Sequence, residues 1–392
     1  MSVNNLIPPH YLNLSTNGKV KVEYVWISVT GQTLQSKTRT FDFEPKTLED
    51  VPIWTYCYDP IKETYLKPVG LYNDPFRLAP HKIVYCETLE KGMQPSHFNT
   101  RHRCNEVMEA VKDQHPWFGM EQEYNLLGAD KHPLGWPKDG FPGPQYYPET
   151  GLFTYHLAQG TGNIMGRTIA ESHYAACLFA GLKIAGINSE GLLSQWEYQI
   201  GPVEGIQLGD QVWVSRFLLH RVAEQFEVVV NFDPKIVPGD WCGAGCHTNF
   251  STEEMRKPGG LKVILEACEK LSTVHKEHLA YYDPAQGKDN ARRMTGRFTS
   301  PPLENCVVGV MDRNASLRVP LLVEQNGCGY FEDRRPASNC DPYLVTEAIV
   351  KTVCLNRKLS RAYVEEDFKK IQERLEKLEI ENKELKEKVA HP

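Results

Sequence analysis

Phe118-Gly119-Met120-Glu121-Gln122-Glu123-Tyr124 is the stretch whose reading decides the fold. As a strand, its period-two alternation sends Glu121 and Glu123 to one face and Met120, Gln122 and Tyr124 to the other. Carboxylates placed side by side repel. Unless the strand is an exposed edge with both acids solvated, they need a cation between them, and a hard divalent ion such as Mg²⁺ or Mn²⁺ suits two oxygen donors.

Around this stretch, 392 residues with 41% hydrophobic content predict two domains, one of them large. A net charge of −6 with interspersed signs gives no basic field for nucleic acid or an anionic membrane surface. Eleven cysteines, an odd number without a C-x-x-C pair, read as free thiols in a reducing compartment. No charged-then-apolar leader and no apolar run of membrane-spanning length is present, so the expected address is cytoplasmic.

Upstream, residues 1–18 read as an arm. Residues 19–43 carry two β-rich runs around Thr30-Gly31 and predict a hairpin. Residues 54–74 read as short and turn-rich, and Lys82-Ile83-Val84-Tyr85-Cys86-Glu87 as a strand, which together outline a small sheet domain over 19–95. Val107, Met108 and Val111 have helical spacing just before the acidic strand.

Downstream, residues 136–148 are Pro/Gly-rich loop, the aromatic run through His156 reads as an insertion, and Gly160-Thr161-Gly162 as a turn. Residues 170–185 predict a helix whose Ala175, Leu178, Phe179 and Leu182 form a core stripe. Glu190, and Glu197 in the alternating Gln195-Trp196-Glu197-Tyr198-Gln199-Ile200, supply a third and fourth acid for a common cavity. His247 follows small residues that permit close backbone approach. Alternation puts Ser316 with Arg318, and Glu332 with Arg334, on single faces. Arginines beside an acid cluster suit phosphoryl transfer, because guanidinium groups orient carboxylate and phosphate while cations neutralise phosphate charge.

Several long motifs resemble the eukaryotic-type glutamine synthetase family: Lys37-Thr38-Arg39, His115-Pro116-Trp117 running into the opening stretch, Gly135-Trp136-Pro137, Phe141-Pro142-Gly143-Pro144-Gln145, Trp196-Glu197-Tyr198-Gln199-Ile200-Gly201-Pro202, Gly243-Ala244-Gly245-Cys246-His247-Thr248-Asn249-Phe250-Ser251, Asn290-Ala291-Arg292-Arg293 and Gly329-Tyr330-Phe331-Glu332-Asp333-Arg334-Arg335-Pro336. The resemblance implies an α+β fold: a small N-terminal β-grasp domain (19–95), a catalytic domain with a curved antiparallel sheet (96–356), and stacked rings of subunits with sites between neighbours. It implies that Glu123, Glu190 and Glu197 hold one metal and Glu121, His247 and Glu332 a second. Arg293 then clamps the glutamate carboxylate, Arg313, Arg318 and Arg334 lie near the transferred phosphoryl group and nucleotide phosphates, and Asn249 and Ser251 border glutamate and nucleotide. Arg293, Arg313 and Arg334 are the expected catalytic arginines. The implied reaction uses ATP to convert the glutamate side chain to an acyl phosphate, which ammonia attacks.

Three departures from the family pattern bear on the ammonia step. Where the family has Trp followed by Asn-Phe-Asp-Gly-Ser-Ser, this chain has Trp54-Thr55-Tyr56-Cys57-Tyr58-Asp59, with Cys57 about where an ammonium-binding Asp is expected. Asp59 is followed by Pro60 and a shortened loop. After Gly296 the family has Phe-His-Glu-Thr, a flap whose Glu shields the intermediate; here the text is Arg297-Phe298-Thr299-Ser300, and Arg297, if it faced the site, would repel ammonium. Cys242 replaces an Asn. The expectation is retained binding of metal, nucleotide and glutamate with weakened ammonia ligation. The alternatives are a catalytically impaired assembly or regulatory subunit, and a ligase for another amine.

The segment 357–392 lies beyond the resemblance. Val364, Ile371, Leu378 and Leu385 fall seven apart, and Phe368, Leu375, Asn382 and Val389 fill the other heptad position, which predicts a coiled-coil tail that pairs with itself or with another subunit.

Overall fold

The computed structural model describes residues 11, 14–59, 62–147 and 149–359. The tail from 361 onward, with its predicted coiled coil, lies outside the described residues, as does most of the N-terminal arm.

Val20–Ile27 (β1) and Leu34–Phe41 (β2) pair antiparallel in register from Val20 against Phe41 to Ile27 against Leu34, the predicted hairpin. Lys82–Glu90 (β5) lies parallel to β1 on its other side. The stretch 54–74 is a correction: instead of being short and turn-rich it forms a second hairpin, Trp54–Asp59 (β3) and Lys62–Asn73 (β4), with β4 paired to β5. A register shift between Pro68 and Gly70 hides β4 from pattern reading, since proline cannot donate to a ladder and is tolerated at a bulge. The sheet runs β2-β1-β5-β4-β3, with Gln94–Pro95 (β6) beside β5.

The second sheet carries the site. Its order is β12-β13-β14-β11-β7-β9-β8, with β10 beside β7. The strands are Trp117–Leu127 (β7), Ile184–Ser189 (β8), Gln195–Glu204 (β9), Val229–Asn231 (β10), Cys246–Ser251 (β11), Val308–Val310 (β12), Leu317–Val319 (β13) and Phe331–Asp333 (β14). All pairings are antiparallel except β12 with β13. Register shifts between Phe118 and Met120 and between Ile184 and Gly186 bend the sheet where β8 and β9 meet β7. The α+β class is thus realised with helices on the apolar face of a curled sheet.

Thr100–Glu109 (α1) is capped by Asn99, whose side chain accepts from the His102 amide, and it buries Cys104, Val107 and Met108. Arg167–Ala180 (α2) stops at Gly181, whose left-handed φ of 93° ends the helix, so residues beyond it turn into β8 instead of continuing to 185. The predicted stripe on α2 is also corrected. Leu178 and Phe179 are 53% and 41% exposed, while Ile169, Ala170, His173, Ala176, Cys177 and Ala180 face the core. Small residues and a histidine pack closest to the sheet there, and the larger apolar side chains that suggested the stripe point away. Gln207–Gln225 (α3) and Pro342–Val353 (α4) are buried along most of their length against the sheet. Among the described residues no helix is long and apolar enough to cross a membrane.

Candidate active site

Alternation along β7 holds as read. Met120 and Tyr124 enter the main core, and Gln122 accepts from the buried Arg216 guanidinium (2.6 and 2.9 Å), while Glu121 and Glu123 open onto a cavity of about 510 Å³. On β9, Trp196, Tyr198 and Ile200 are core, and Glu197 and Gln199 face the same cavity. His247 on β11 lies opposite Glu121 in the ladder, and Arg318 on β13 lies opposite Glu332 on β14. The sheet register therefore brings together acids that are far apart in the chain.

Two groups of possible ligand atoms result, each with its members within 4.8 Å: Glu121, His247 and Glu332; and Glu123, Glu197 and His247. Imidazole Nδ1 is 3.5 Å from both Glu121 and Glu332, and Nε2 is 3.8 Å from Glu123, so one ring serves both groups. Glu190 lines the cavity but belongs to neither group, although the family resemblance implies that it joins Glu123 and Glu197. Burial pushes the Glu123 carboxyl up to about 7, against the opposing pull of the Gly245 amide and Arg293. Burial and neighbouring acids raise Glu190 and Glu197 well above the carboxylate range. His247 is held well below its usual value by burial and by Arg334, which leaves it the neutral imidazole that ligates metals. Buried acids that resist ionising together, around a neutral histidine, are a donor set that divalent cations relieve, so the residues present fit such ions.

Each acid is braced. Asn188 Nδ2 donates to Glu190 (2.9 Å), Gln199 donates to Glu197 and to Asn188 (2.9 Å), and Asn249 Nδ2 donates to Glu121 (2.8 Å). Gln195 Nε2 and the Gly245 amide each donate to Glu123 at 3.0 Å. Arg334 donates to Glu332 at 2.7 Å and Arg318 pairs with the same carboxylate. Asn188 and the bracing by Gln199 were missed in the sequence, although Gln199 stands two residues from Glu197 and alternation alone places it on the cavity face.

The arginines divide. Arg313, Arg318 and Arg334 line the cavity. Arg293 lies behind it, buried under Gly243 and Gly245, with Nη2 donating to the carbonyls of Arg334, Arg335 and Pro336 and Nε to Asn290. Burial lowers its pKa to about 10. Asn249 and Ser251 instead line a separate apolar slot of about 450 Å³ with Trp117, Phe118, Ile200 and Tyr330, which adjoins the acid cavity at Glu121 and Gln199.

The rim settles one conditional. Arg297 does not face the cavity; it pairs with Asp240 at 3.0 Å on the surface, and Thr299 takes the place at the rim, its carbonyl accepting from Arg334 at 2.9 Å. Phe153, His156 and Leu157 also line the cavity, from a loop that carries no periodic signal. Cys242 lines it beside Gly191, where an added Cβ would lie 2.3 Å from its sulfur.

An antiparallel sheet that gathers paired acids, a neutral histidine and arginines around one cavity defines a site for anionic substrates and hard cations. A family model described as "Glutamine synthetase, catalytic domain" matches residues 98–280. The glutamine synthetase of Homo sapiens is 50% identical over 361 residues, covering 90% of this chain and 95% of that protein. Those of Rattus norvegicus and Panulirus argus are each 49% identical over 361 residues, covering 90% of this chain and 95% and 98% of theirs. The chain belongs to the glutamine synthetase family, of the eukaryotic type.

Proposed function

We propose that this protein is a glutamate–ammonia ligase that uses ATP and Mg²⁺ or Mn²⁺, with its acyl-phosphate step intact and its ammonia step weakened. The observation that carries the reading is the convergence of Glu121, Glu123, Glu190, Glu197 and His247 on one cavity rimmed by arginines, with Glu332 buried beside His247. Glu121, His247 and Glu332 would hold one cation, and Glu123 and Glu197, with Glu190 beside them, the other. Bound cations would supply neutralisation of phosphate charge and polarisation of the reacting carboxylate.

Arg313 and Arg334, with Arg318, orient the transferring phosphoryl group, and Arg293 supports the glutamate site from beneath the Gly243-to-Gly245 turn. The apolar slot beside Asn249 and Ser251 takes the adenine ring, placing the phosphates toward Glu121. We take the division between the two sheets, near residue 95, as the domain boundary, and stacked homo-oligomeric rings in the cytoplasm as the working form. The coiled-coil tail is proposed to pair with itself or with another subunit.

Weakening follows from Cys57, which is exposed on β3 where an ammonium-binding acid is expected, and from Thr299 in place of a flap acid. Loss of a proton-transferring group costs about 10²–10⁴-fold. Phe153 and Leu157 at the rim favour, as a second reading, an amine larger than ammonia. The test follows phosphate and glutamine from the full chain with ATP, Mg²⁺ and glutamate, with and without ammonium. Ammonium-dependent glutamine, with phosphate in excess of it, is the expected outcome. Phosphate alone means that the first step survives and that water, or outside this assay another amine, takes the acyl phosphate, and neither product, with nucleotide binding intact, points to an assembly subunit.

A further inference from the structure

We infer that His156 is a further catalytic residue, the base that removes a proton from the attacking ammonium; this rests on the ligase reading above and specifies its second step. His156 lines the acid cavity together with Asn188, Glu190 and Glu197. Its backbone is fixed on both sides. Ser189 Oγ donates to the Tyr155 carbonyl (3.2 Å), and the amides of Leu157 and Ala158 donate to the Ser189 carbonyl (3.2 Å) and hydroxyl (3.1 Å). Tyr155 is itself buried in a satellite core with Trp136 and Leu193. The segment that carries His156 is thereby pinned to Ser189, the last residue of β8 and the chain neighbour of Glu190.

Elimination among the other titratable groups of the cavity leads to the same residue. Glu121, Glu123, Glu190, Glu197 and Glu332 are each held by an amide or a guanidinium, His247 sits between acids, and burial together with Glu190 and Glu123 pushes the Cys242 thiol far up. Among the described residues, neither ring nitrogen of His156 hydrogen-bonds to protein; its ring meets Phe153 edge to face at 6.3 Å between centroids. Burial and the Arg313 guanidinium hold its pKa below the ordinary histidine value, so the ring is neutral at rest, and the same cation makes it a weaker base, in keeping with a slowed ammonia step. A neutral imidazole at the edge of the cavity restores part of the proton transfer that Cys57 and Thr299 cannot perform, while the carboxylate charge that would attract ammonium stays lost.

The step balances as follows. One N–H bond of ammonium breaks, its electron pair stays on nitrogen and the proton goes to the imidazole. The nitrogen lone pair forms the bond to the acyl carbon. The bond from that carbon to the phosphate oxygen then breaks with its electron pair on oxygen, and the departing phosphate takes the second proton from nitrogen.

The experiment compares the full-length wild type with His156→Gln in the presence of ATP, Mg²⁺ and glutamate, using ammonium or hydroxylamine as nucleophile. Hydroxylamine is largely unprotonated at neutral pH and needs no base. The expected result is a loss of about 10²-fold in kcat/KM for ammonium, with the hydroxylamine rate within about threefold of wild type. An equal loss with both nucleophiles, or no loss with either, overturns the assignment. Should His156→Gln fold poorly, His156→Ala with added imidazole decides: recovery of glutamine formation supports the base and no recovery overturns it. A wild type that yields neither glutamine nor hydroxamate is a separate result, the failure of the ligase reading itself.

Discussion

The floor of the cavity and its rim are built differently. Floor residues project from β7, β9, β11 and β14, where ladder register fixes each Cβ and an amide or guanidinium fixes each carboxylate. Rim residues come from loops: Phe153, His156 and Leu157 from one, and Thr299 from another where Phe298 and Thr299 sit at φ of 55° and 60°, a costly region for a β-branched side chain. A strand-borne group cannot change without disturbing its neighbours across the ladder, whereas a loop can change its side chains and leave the sheet intact. The two halves of the proposed reaction therefore separate in space, activation of the carboxylate on the floor and choice of the attacking nucleophile at the rim.

Breaking the floor gives the largest effect. Glu123→Gln keeps the shape and the hydrogen bond from Gln195 but removes a negative donor from the Glu123, Glu197 and His247 group. Several kcal/mol of charge stabilisation are at stake, so phosphate release and glutamine formation should both fall by about 10³-fold or more. Loss of glutamine alone would show that the floor does not carry the first step. A milder cut is Gln199→Ala, which leaves Glu197 in place without its brace; Mn²⁺ affinity measured by titration should weaken by about 10–100-fold.

The same contrast explains what could be read in advance. Glu121, Glu123 and Glu197 were legible because strand alternation has a period of two, and Met120, Tyr124 and Trp196 confirm its phase by entering the core. His247 and Glu332 carry no local signal that joins them to Glu121; only their family motifs did, and the ladder supplies the juxtaposition. His156 carries no site reading in the sequence, and Thr299 has one only through the family's flap position, since a loop has no period from which direction can be inferred. The outward-facing Leu178 and Phe179 show the opposite error, a true helical spacing assigned to the wrong side because side-chain size was taken as the guide to burial.

At the rim, Thr299→Glu should return an acid to the flap position while leaving the floor untouched. The Arg334 contact is to the backbone carbonyl and survives the substitution. Shielding the acyl phosphate should raise glutamine formed per phosphate released by a few-fold, with little change in total phosphate release. A fall in total phosphate release would mean that the rim also acts on the first step and that the separation does not hold.

The smallest effect is on stability, and it isolates the floor from all catalysis. Burial raises Glu123 to about 7 and pushes Glu190 and Glu197 up as well, so between the ordinary carboxylate range and neutrality the cation-free folded protein binds more protons than the unfolded chain. The stability from these neutral carboxyls is fully present below that ordinary range and is lost as pH rises through the raised values. Cations reverse the preference by favouring the ionised acids. In chelator, Tm should therefore drop by a few degrees between pH 5.5 and 8, and saturating Mg²⁺ should flatten or reverse the slope. Leu157→Ala, a rim change that removes no titratable group, should leave both slopes as they are. An identical slope with and without Mg²⁺ would mean that the acids of β7 and β9 do not take the ion, and the division of labour between floor and rim would lose its first half.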